Sequence, residues 1–174
     1  MTSPAVFWAL RGGGAGSWGV LISATFRTYP TFNLVHHAAA IQLNSSAAVS
    51  QLVTLHAQHI FDWDDLHVGQ YFYLVRRGSS FTMAIASLVP NTSISIANAT
   101  LSPFFDAAVA QGFDVSLATL ESADANDVLS TLTTDATGIN IVLGSRLIPE
   151  DVYRCNATGI GETYKLLLDA GTPK

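Results

Sequence analysis

The order of periodic segments in residues 34–120 constrains the fold of this chain most strongly. Patterns typical of strands occur over residues 34–43, 70–76, 81–88 and 113–120. The apolar spacing changes to the helical period after the first strand and again before the fourth. The order strand, helix, strand, strand, helix, strand predicts an α+β fold of ferredoxin-like order, an antiparallel sheet with helices on one face.

Both helices of this unit have end signals in the sequence. Ser45 or Ser46 can cap the first helix, which is predicted to run to about Ile60. The second is predicted over residues 102–111, with Pro103 in its first turn and a glycine directly after its end.

Further elements are predicted on both sides of the unit. Residues 20–29 are rich in β-branched and aromatic residues and precede Pro30, so we predict a strand there. After the unit, we predict a helix over residues 123–132, a strand over residues 139–143 and a short terminal helix over residues 164–169.

The composition indicates a folded domain and argues against several partners. Of the 174 residues, 49% are hydrophobic and only 12% are charged, which is not the composition of a disordered chain. The net charge of −5 and the lack of a Lys/Arg cluster predict no nucleic-acid binding. No apolar run has the length of a membrane span, and no signal-peptide pattern is visible. The single cysteine, Cys155, excludes an internal disulfide.

Five glycines lie within residues 12–19, ahead of the first predicted strand. Such a run is typical of a tight turn, or of a backbone that closely approaches a phosphate-bearing cofactor. A Rossmann loop has its strand before the glycines, and a P-loop ends in Gly-Lys-Ser/Thr, so neither motif fits. The glycines alone leave both the turn and the cofactor loop open.

The residues around the glycines resemble one protein family. Phe-Trp-Ala-Leu-Arg precedes the run at residues 7–11, and Thr-Phe-Arg-Thr-Tyr-Pro follows it at residues 25–30. Together they resemble the FAD-linked oxidoreductases of the vanillyl-alcohol oxidase (VAO) and berberine-bridge-enzyme-like group, which has a PCMH-type FAD-binding domain. Residues 101–105 and the Ser-Arg-Leu-Ile-Pro sequence at residues 145–149 resemble further segments of fungal members.

This resemblance implies a cofactor and a reaction. The cofactor is FAD, and the reaction is hydride transfer from an alcohol, amine or C–H donor to the flavin, which oxygen then reoxidises. The resemblance also implies that Gly16, Gly19, Val20 and Leu21 lie against FAD.

The resemblance further implies a division of the chain into three parts. Residues 1–30 are expected to end the FAD-binding domain, residues 31–150 to form the substrate-binding domain, and residues 151–174 to lead toward a C-terminal segment. Family members have a long FAD-binding part before this point. We therefore expect the chain to be an internal piece that is inactive alone, and a complementing FAD-domain chain is an expected partner.

Two tyrosines are the candidate substrate-binding residues. Tyr71 and Tyr73 alternate along a predicted strand and therefore share one of its faces. In the family, strands of this domain roof the substrate cavity above the flavin, so a phenol here would orient a small-molecule substrate or help to take its proton. Aromatic packing against a neighbouring strand is the alternative, and the sequence identifies no catalytic residue.

The histidines predict no metal site. His36 and His37 are consecutive in a strand and therefore point to opposite faces. His56 and His59 can share a helix face, but no carboxylate lies at ligand spacing from them.

The chain contains four N-glycosylation sequons. The sequons fit a family whose full-length members enter the secretory pathway, and they begin at Asn44, Asn91, Asn98 and Asn156.

Besides the oxidoreductase, a non-catalytic ferredoxin-like binding module and an inactive remnant remain open.

Overall fold

The computed structural model describes residues 4–10, 20, 22–130 and 147–170. It divides into two compact units, Met1–Pro30 and Thr31–Lys174. In the described part of the first unit, α1 (Pro4–Leu10) is the regular element. Residues 22–30 are exposed and form no strand, so the strand predicted over residues 20–29 is wrong for the described residues. Strand propensity is realised only where a neighbouring strand completes the hydrogen bonds, and the described sheet takes no strand from this segment.

The second unit is built on one four-stranded sheet. Its strands are β1 (Leu34–Leu43), β2 (Gly69–Arg77), β3 (Ser80–Pro90) and β4 (Asp114–Ser122). They lie in the order β2-β3-β1-β4, and every neighbouring pair is antiparallel. After β1 come α2 (Ser46–His59) and a 3₁₀ helix (Ile60–Leu66), and α3 (Ile94–Ala110) joins β3 to β4. The α+β class and the ferredoxin-like order predicted from the sequence are therefore confirmed.

The main core lies between this sheet and the helices on one of its faces. Every second residue of β1 and β3 points toward α2 and α3, and these residues are almost fully buried. The helices contribute their own apolar positions to the same cluster. Its most deeply buried members include Val35, Ile41, Met83, Val89, Leu52, Val53, Leu101 and Phe104. The period-2 alternation of the strands thus decides which side of the sheet the helices cover.

The predicted start of α2 is confirmed, and the predicted start of α3 is wrong. The backbone N–H of Ala48 donates to Ser45 Oγ at 3.2 Å, so Ser45 caps α2. By contrast, α3 begins at Ile94 after the cap residue Ser93, and Pro103 lies in the helix interior rather than in its first turn. An interior proline costs a helix about 3 kcal/mol. The helix continues through it because the apolar side chains around it, Leu101, Phe104, Phe105 and Ala108, are buried in the core.

Two helices follow the sheet at the C-terminal side of the described chain. They are α5 (Glu150–Cys155) and α6 (Ala157–Asp169), so the helix predicted from residue 164 begins seven residues earlier. The backbone N–H of Gly159 donates to Asn156 Oδ1 at 3.0 Å, which caps the start of α6. Ile160 of α6 is buried in the main core, and Ser50 Oγ of α2 donates to Glu162 Oε1 at 3.1 Å. None of the helices in the described ranges combines the length and apolarity needed to span a membrane.

A short helix, α4 (Ala125–Leu129), lies at the opposite face of the sheet. Its Val128 is fully buried in a small apolar cluster with Leu34 of β1, against which Leu88 of β3 packs. Among the described residues, α4 covers one end of this face. The strand predicted over residues 139–143 lies outside the described residues.

Candidate functional site

The candidate site is the open face, the side of the sheet that points away from α2 and α3. Strand register defines it as rows of residues that lie side by side across the four strands. One row consists of Tyr71, Ala86, Ala38 and Ala118. The next row consists of Tyr73, Ala84, Ala40 and Ser116. Each row thus has a tyrosine on the edge strand β2 and small residues on the other three strands.

The two tyrosines predicted to bind substrate both lie on this face. Tyr71 is 64% exposed and Tyr73 is 58% exposed. Side chains this exposed are not engaged in close packing with a neighbouring strand, which was the alternative explanation for them. Both phenols are available to a ligand that lies on the alanines beside them, and their role in substrate binding stays a prediction.

His36 is a residue of the open face that sequence reasoning did not select. It lies between Leu88 of β3 and Leu120 of β4, one row beyond Tyr71. Its Nε2 atom is hidden from solvent and has no hydrogen-bond partner within the described residues. Burial lowers the pKa of His36 from its usual value, so the ring is neutral near pH 7. A neutral imidazole nitrogen is a proton acceptor by its chemistry, but this atom is enclosed, so a ligand would reach it only after a side-chain movement.

The tyrosines and His36 lie at separate positions of the open face. Neighbouring strands lie about 4.8 Å apart and alternate residues about 6.8 Å apart along a strand, so the Cα atoms of Tyr71 and His36 are about 12 Å apart. His36 Nε2 and the Tyr71 hydroxyl are not hydrogen-bonded to each other.

Charged side chains lie at the two ends of the open face, and Asp127 of α4, which accepts from Ser122 Oγ at 3.1 Å, is at the end near His36. Asp114 and Arg77 lie at the end farthest from His36, where Thr82 Oγ1 donates to Gln42 Oε1 at 2.9 Å. Over the two tyrosine rows and the His36 row, the described residues include no aspartate, glutamate, lysine or arginine.

A series of buried hydrogen bonds on the other side of the sheet holds β2, the strand that contains both tyrosines. His56 of α2 contacts Gln70 Oε1, and Gln70 Nε2 donates to Ser87 Oγ at 2.8 Å. Burial lowers the pKa of His56, and the Gln70 bond opposes that effect only in part. Because Gln70 directly precedes Tyr71, these bonds hold β2 at the place where the phenol projects to the open face.

The remaining predicted site residues fall mostly outside the described chain. Gly16, Gly19 and Leu21 lie there, as do residues 144–146 of the second family motif. Val20 is described and is 93% exposed. Contact of these four residues with FAD therefore stays a prediction.

The histidines occupy separate environments. His37 points away from His36, as the alternation predicts, and its ring stacks on Phe105 with centroids 5.0 Å apart. Within the described ranges, no group of three or more His, Cys, Asp or Glu side chains is placed to hold a metal ion.

Comparison with known proteins gives sequence relatives but no family-model match. An uncharacterized FAD-linked oxidoreductase of Arthroderma benhamiae is 31% identical over 114 residues, which are 64% of this chain and 20% of that protein. The flavin-dependent oxygenase ucdF of Aspergillus ustus is 52% identical over 31 residues, 18% of this chain and 6% of that protein. The match thus spans about a fifth of the length of the Arthroderma relative.

A solved structure shares the fold. The VAO-type flavoprotein MtVAO615 of Myceliophthora thermophila C1, crystallised at pH 5.0, matches with a TM-score of 0.69 and 18% identity. The match covers 95% of this chain and 30% of that protein. By sequence and by fold, the chain is a relative of the VAO and berberine-bridge-enzyme-like FAD-linked oxidoreductases of fungi.

Proposed function

We propose that the chain forms the substrate side of a FAD-dependent oxidoreductase, with the open face of its sheet turned toward the substrate. The observation that carries this proposal is the grouping of two exposed phenols, a neutral histidine and a small-residue surface on one face of a VAO-type fold. FAD-linked relatives supply the cofactor class.

The residues of the open face suit the substrate side of a hydride transfer. When bound, FAD would accept the hydride of the donor. An alcohol donor that loses a hydride must also lose its hydroxyl proton, and the unpartnered Nε2 of His36 would take it once a side-chain movement exposes that enclosed atom. Tyr71 and Tyr73 can each donate and accept a hydrogen bond, which would fix the orientation of the donor on the alanines. Val20, the described member of the predicted FAD contacts, is exposed and so open to such a contact.

The proposal includes a further protein part that holds most of the FAD. The sequence match accounts for only 20% of the Arthroderma relative, so the rest of such a protein is available for cofactor binding. Reoxidation of the flavin by oxygen also belongs to the proposal, and the oxygenase name of one relative supports it.

A chimera tests this function. In the Arthroderma relative, the segment that matches this chain is replaced by the corresponding residues of this chain, and flavin content is measured by absorbance. We expect a yellow protein with about one flavin per chain, whereas the present chain mixed with FAD should retain little. A folded chimera without flavin would contradict the proposal, and stoichiometric FAD on the present chain would contradict the need for a further part.

One observation favours a second candidate, a non-catalytic binding module. Residues 31–174 form a compact unit whose main core is built from its own sheet and helices, so its fold needs no cofactor for completion. Flavin reduction in the chimera separates the two functions, because a non-catalytic module would leave the bound flavin oxidised when an alcohol donor is added. The inactive remnant predicts a chain without a cooperative thermal transition, which a melting curve tests.

We also propose that the protein is made in the secretory pathway. All four sequon asparagines are exposed, and none of them lies on the open face. Glycans at these positions would therefore leave the open face free. Peptide mass spectrometry after secretion from a fungal host should find these asparagines glycosylated, and their complete non-occupancy would count against secretion.

A further inference from the structure

We propose that a depression at the end of the sheet, beside Asn44, holds the first N-acetylglucosamine of a glycan linked to Asn44, so that this sugar becomes part of the folded structure. The inference rests on the proposed passage through the secretory pathway, because it assigns a structural role to one of the four sequons. It is carried by the position of Asn44, by the side chains that line the depression and by its volume.

The first argument is the position of Asn44, which is itself one of the lining residues. The pairing of β1 with β4 ends at Gln42 and Asp114, so Asn44, two residues later, lies beside the turn at residues 111–113. This turn forms one wall of the depression, and the first turns of α2 form another through Gln51. A sugar attached to Asn44 therefore begins inside the depression.

The side chain of Asn44 is held for this attachment. Ser45 Oγ donates to Asn44 Oδ1 at 3.2 Å, and the same hydroxyl caps α2 by accepting from the backbone N–H of Ala48. Within the described residues, no hydrogen bond uses Asn44 Nδ2. In glycosylation, this nitrogen bonds to C1 of the sugar and loses a proton, while the pyrophosphate of a lipid-linked oligosaccharide leaves with the electrons of its bond to C1. The bond to Ser45 is retained, so the helix cap orients the linkage.

The second argument is the chemistry of the lining, which suits an uncharged ring with many hydroxyl groups. Asp114 is the one charged residue among the described lining residues, and Ser80 adds a hydroxyl. Phe113 is half-buried and packs against the main core, which leaves part of its ring for the C–H groups of a sugar. The remaining polar side chains are carboxamides, which both donate and accept hydrogen bonds: Gln42, Asn44, Gln51 and Gln111.

The third argument is volume. The depression has a volume of about 420 Å³, within the range of about 300–1,000 Å³ that is typical of small-molecule sites. An N-acetylglucosamine residue has about 14 non-hydrogen atoms, which at roughly 20 Å³ each in a packed site need about 280 Å³. The depression therefore accommodates the first sugar, and the rest of the glycan extends into solvent.

The covalent link allows an open site to hold its sugar. Gln51, Gln111 and Asp114 are exposed, so a free sugar would make contacts on one side only. A short tether gives the sugar an effective concentration in about the millimolar range at this site. Contacts too weak to capture a free sugar are therefore sufficient for the attached one.

Thermal unfolding of a chain with a single glycan tests this inference. Ser93→Asp, Thr100→Ala and Thr158→Ala remove the other three sequons without changing their asparagines, and the new aspartate keeps a capping oxygen for α3. The glycan from a secreting fungal host is trimmed to one sugar with endoglycosidase H, and the chain from a bacterial host is the sugar-free form. We expect the one-sugar form to melt at least about 2 °C above the sugar-free form and within about 1 °C of the untrimmed form.

A matched chain retains only the Asn98 sequon. Asn98 is exposed on α3 and is not a lining residue of the depression. This chain contains Ser46→Ala, Ser93→Asp and Thr158→Ala, and its glycan should raise the melting temperature by less than about 1 °C.

Variants of the Asn44-only chain locate the sugar. Gln51→Ala removes one carboxamide and should reduce the gain in melting temperature by at least half, whereas Gln58→Ala, at an exposed glutamine of α2 outside the depression, should leave it unchanged. Each variant is compared with its own sugar-free form, so direct effects of the substitution cancel. In proton NMR spectra, the Phe113 ring should shift sugar protons upfield, and Phe113→Leu should abolish that shift.

The outcomes separate this inference from the proposed secretion. An Asn44 glycan that leaves the melting temperature unchanged, or raises it no more than the Asn98 glycan does, would overturn the inference and leave secretion standing. An unoccupied Asn44 in a wild-type chain glycosylated elsewhere would have the same meaning, and a chain without any glycan would overturn both. None of these results involves flavin, so the oxidoreductase function is tested separately by the chimera.

Discussion

The close approach of α6 to α2 makes Gly161 a sharp test of the structure. A Cβ built on Gly161 would lie under 3.0 Å from the carbonyl oxygen of Ser50 and from Thr54 Oγ1. The threonine side chain can rotate away, but the Ser50 oxygen belongs to the backbone of α2 and cannot. In Gly161→Ala, α6 must therefore move outward by about 1 Å to reach an ordinary carbon–oxygen contact.

Two contributions lower the stability of Gly161→Ala, and one raises it. Overpacking of this kind costs about 1–3 kcal/mol, and contact with backbone favours the upper part of that range. The shift also strains the Ser50–Glu162 hydrogen bond of 3.1 Å, which is worth about 1 kcal/mol. Against these, alanine favours a helix interior over glycine by about 1 kcal/mol. The net expectation is a loss of about 2 kcal/mol, or a melting temperature lower by about 4–8 °C.

Thermal unfolding followed by circular dichroism measures this effect. The control is Thr158→Ala, which adds a better helix former at an exposed position of the same helix and should not lower the melting temperature. If Gly161→Ala melts at or above the wild-type temperature while Thr158→Ala behaves as expected, the close α2–α6 contact is refuted.

Three further predictions concern a buried histidine, a helix cap and the proton acceptor. Burial lowers the pKa of His56 from 6.5, so the unfolded chain binds the proton first as the pH falls. Stability should be full above about pH 6.5 and decline below it by up to about 1.4 kcal/mol per pH unit for this residue, and urea titrations should show a smaller decline in His56→Gln. Asn156→Ala removes the side chain that caps α6 and should lower the unfolding free energy by about 1 kcal/mol, whereas a loss below about 0.3 kcal/mol would argue against the cap. In a flavin-containing chimera, His36→Gln should slow flavin reduction by an alcohol donor at least about 100-fold without lowering flavin content, and an unchanged rate would exclude His36 as the proton acceptor.

The sheet and its order were predictable because period-2 alternation is a local property. Ile41 and Met83 are buried while their strand neighbours are not, and the sequence shows that contrast directly. The strand predicted over residues 20–29 failed because strand propensity does not identify a partner. The predicted start of α3 was wrong because Pro103 suggested the first turn of a helix. In the structure Pro103 is inside α3, and burial of Phe104 and Phe105 stabilises the helix on both sides of it.

The site was predictable only in part. The alternation put Tyr71 and Tyr73 on one face, but only the register across strands shows that alanines lie beside both of them. His36 was considered only as a metal ligand with His37, because enclosure of its Nε2 depends on packing in the folded chain. Likewise, nothing in the sequence indicated that Gly161 is the small residue that lets α6 approach α2.

The alternation within β1 also has an evolutionary consequence. Val35, Ala39 and Ile41 hold the helix layer, while Ala38 and Ala40, interleaved with them, lie on the open face that we propose as the substrate side. Under that proposal, substitutions at the second set would alter what the protein recognises while leaving the first set, and hence folding, largely untouched. A lineage built on this sheet can therefore acquire new substrates through single amino-acid changes that natural selection need not reject for loss of stability.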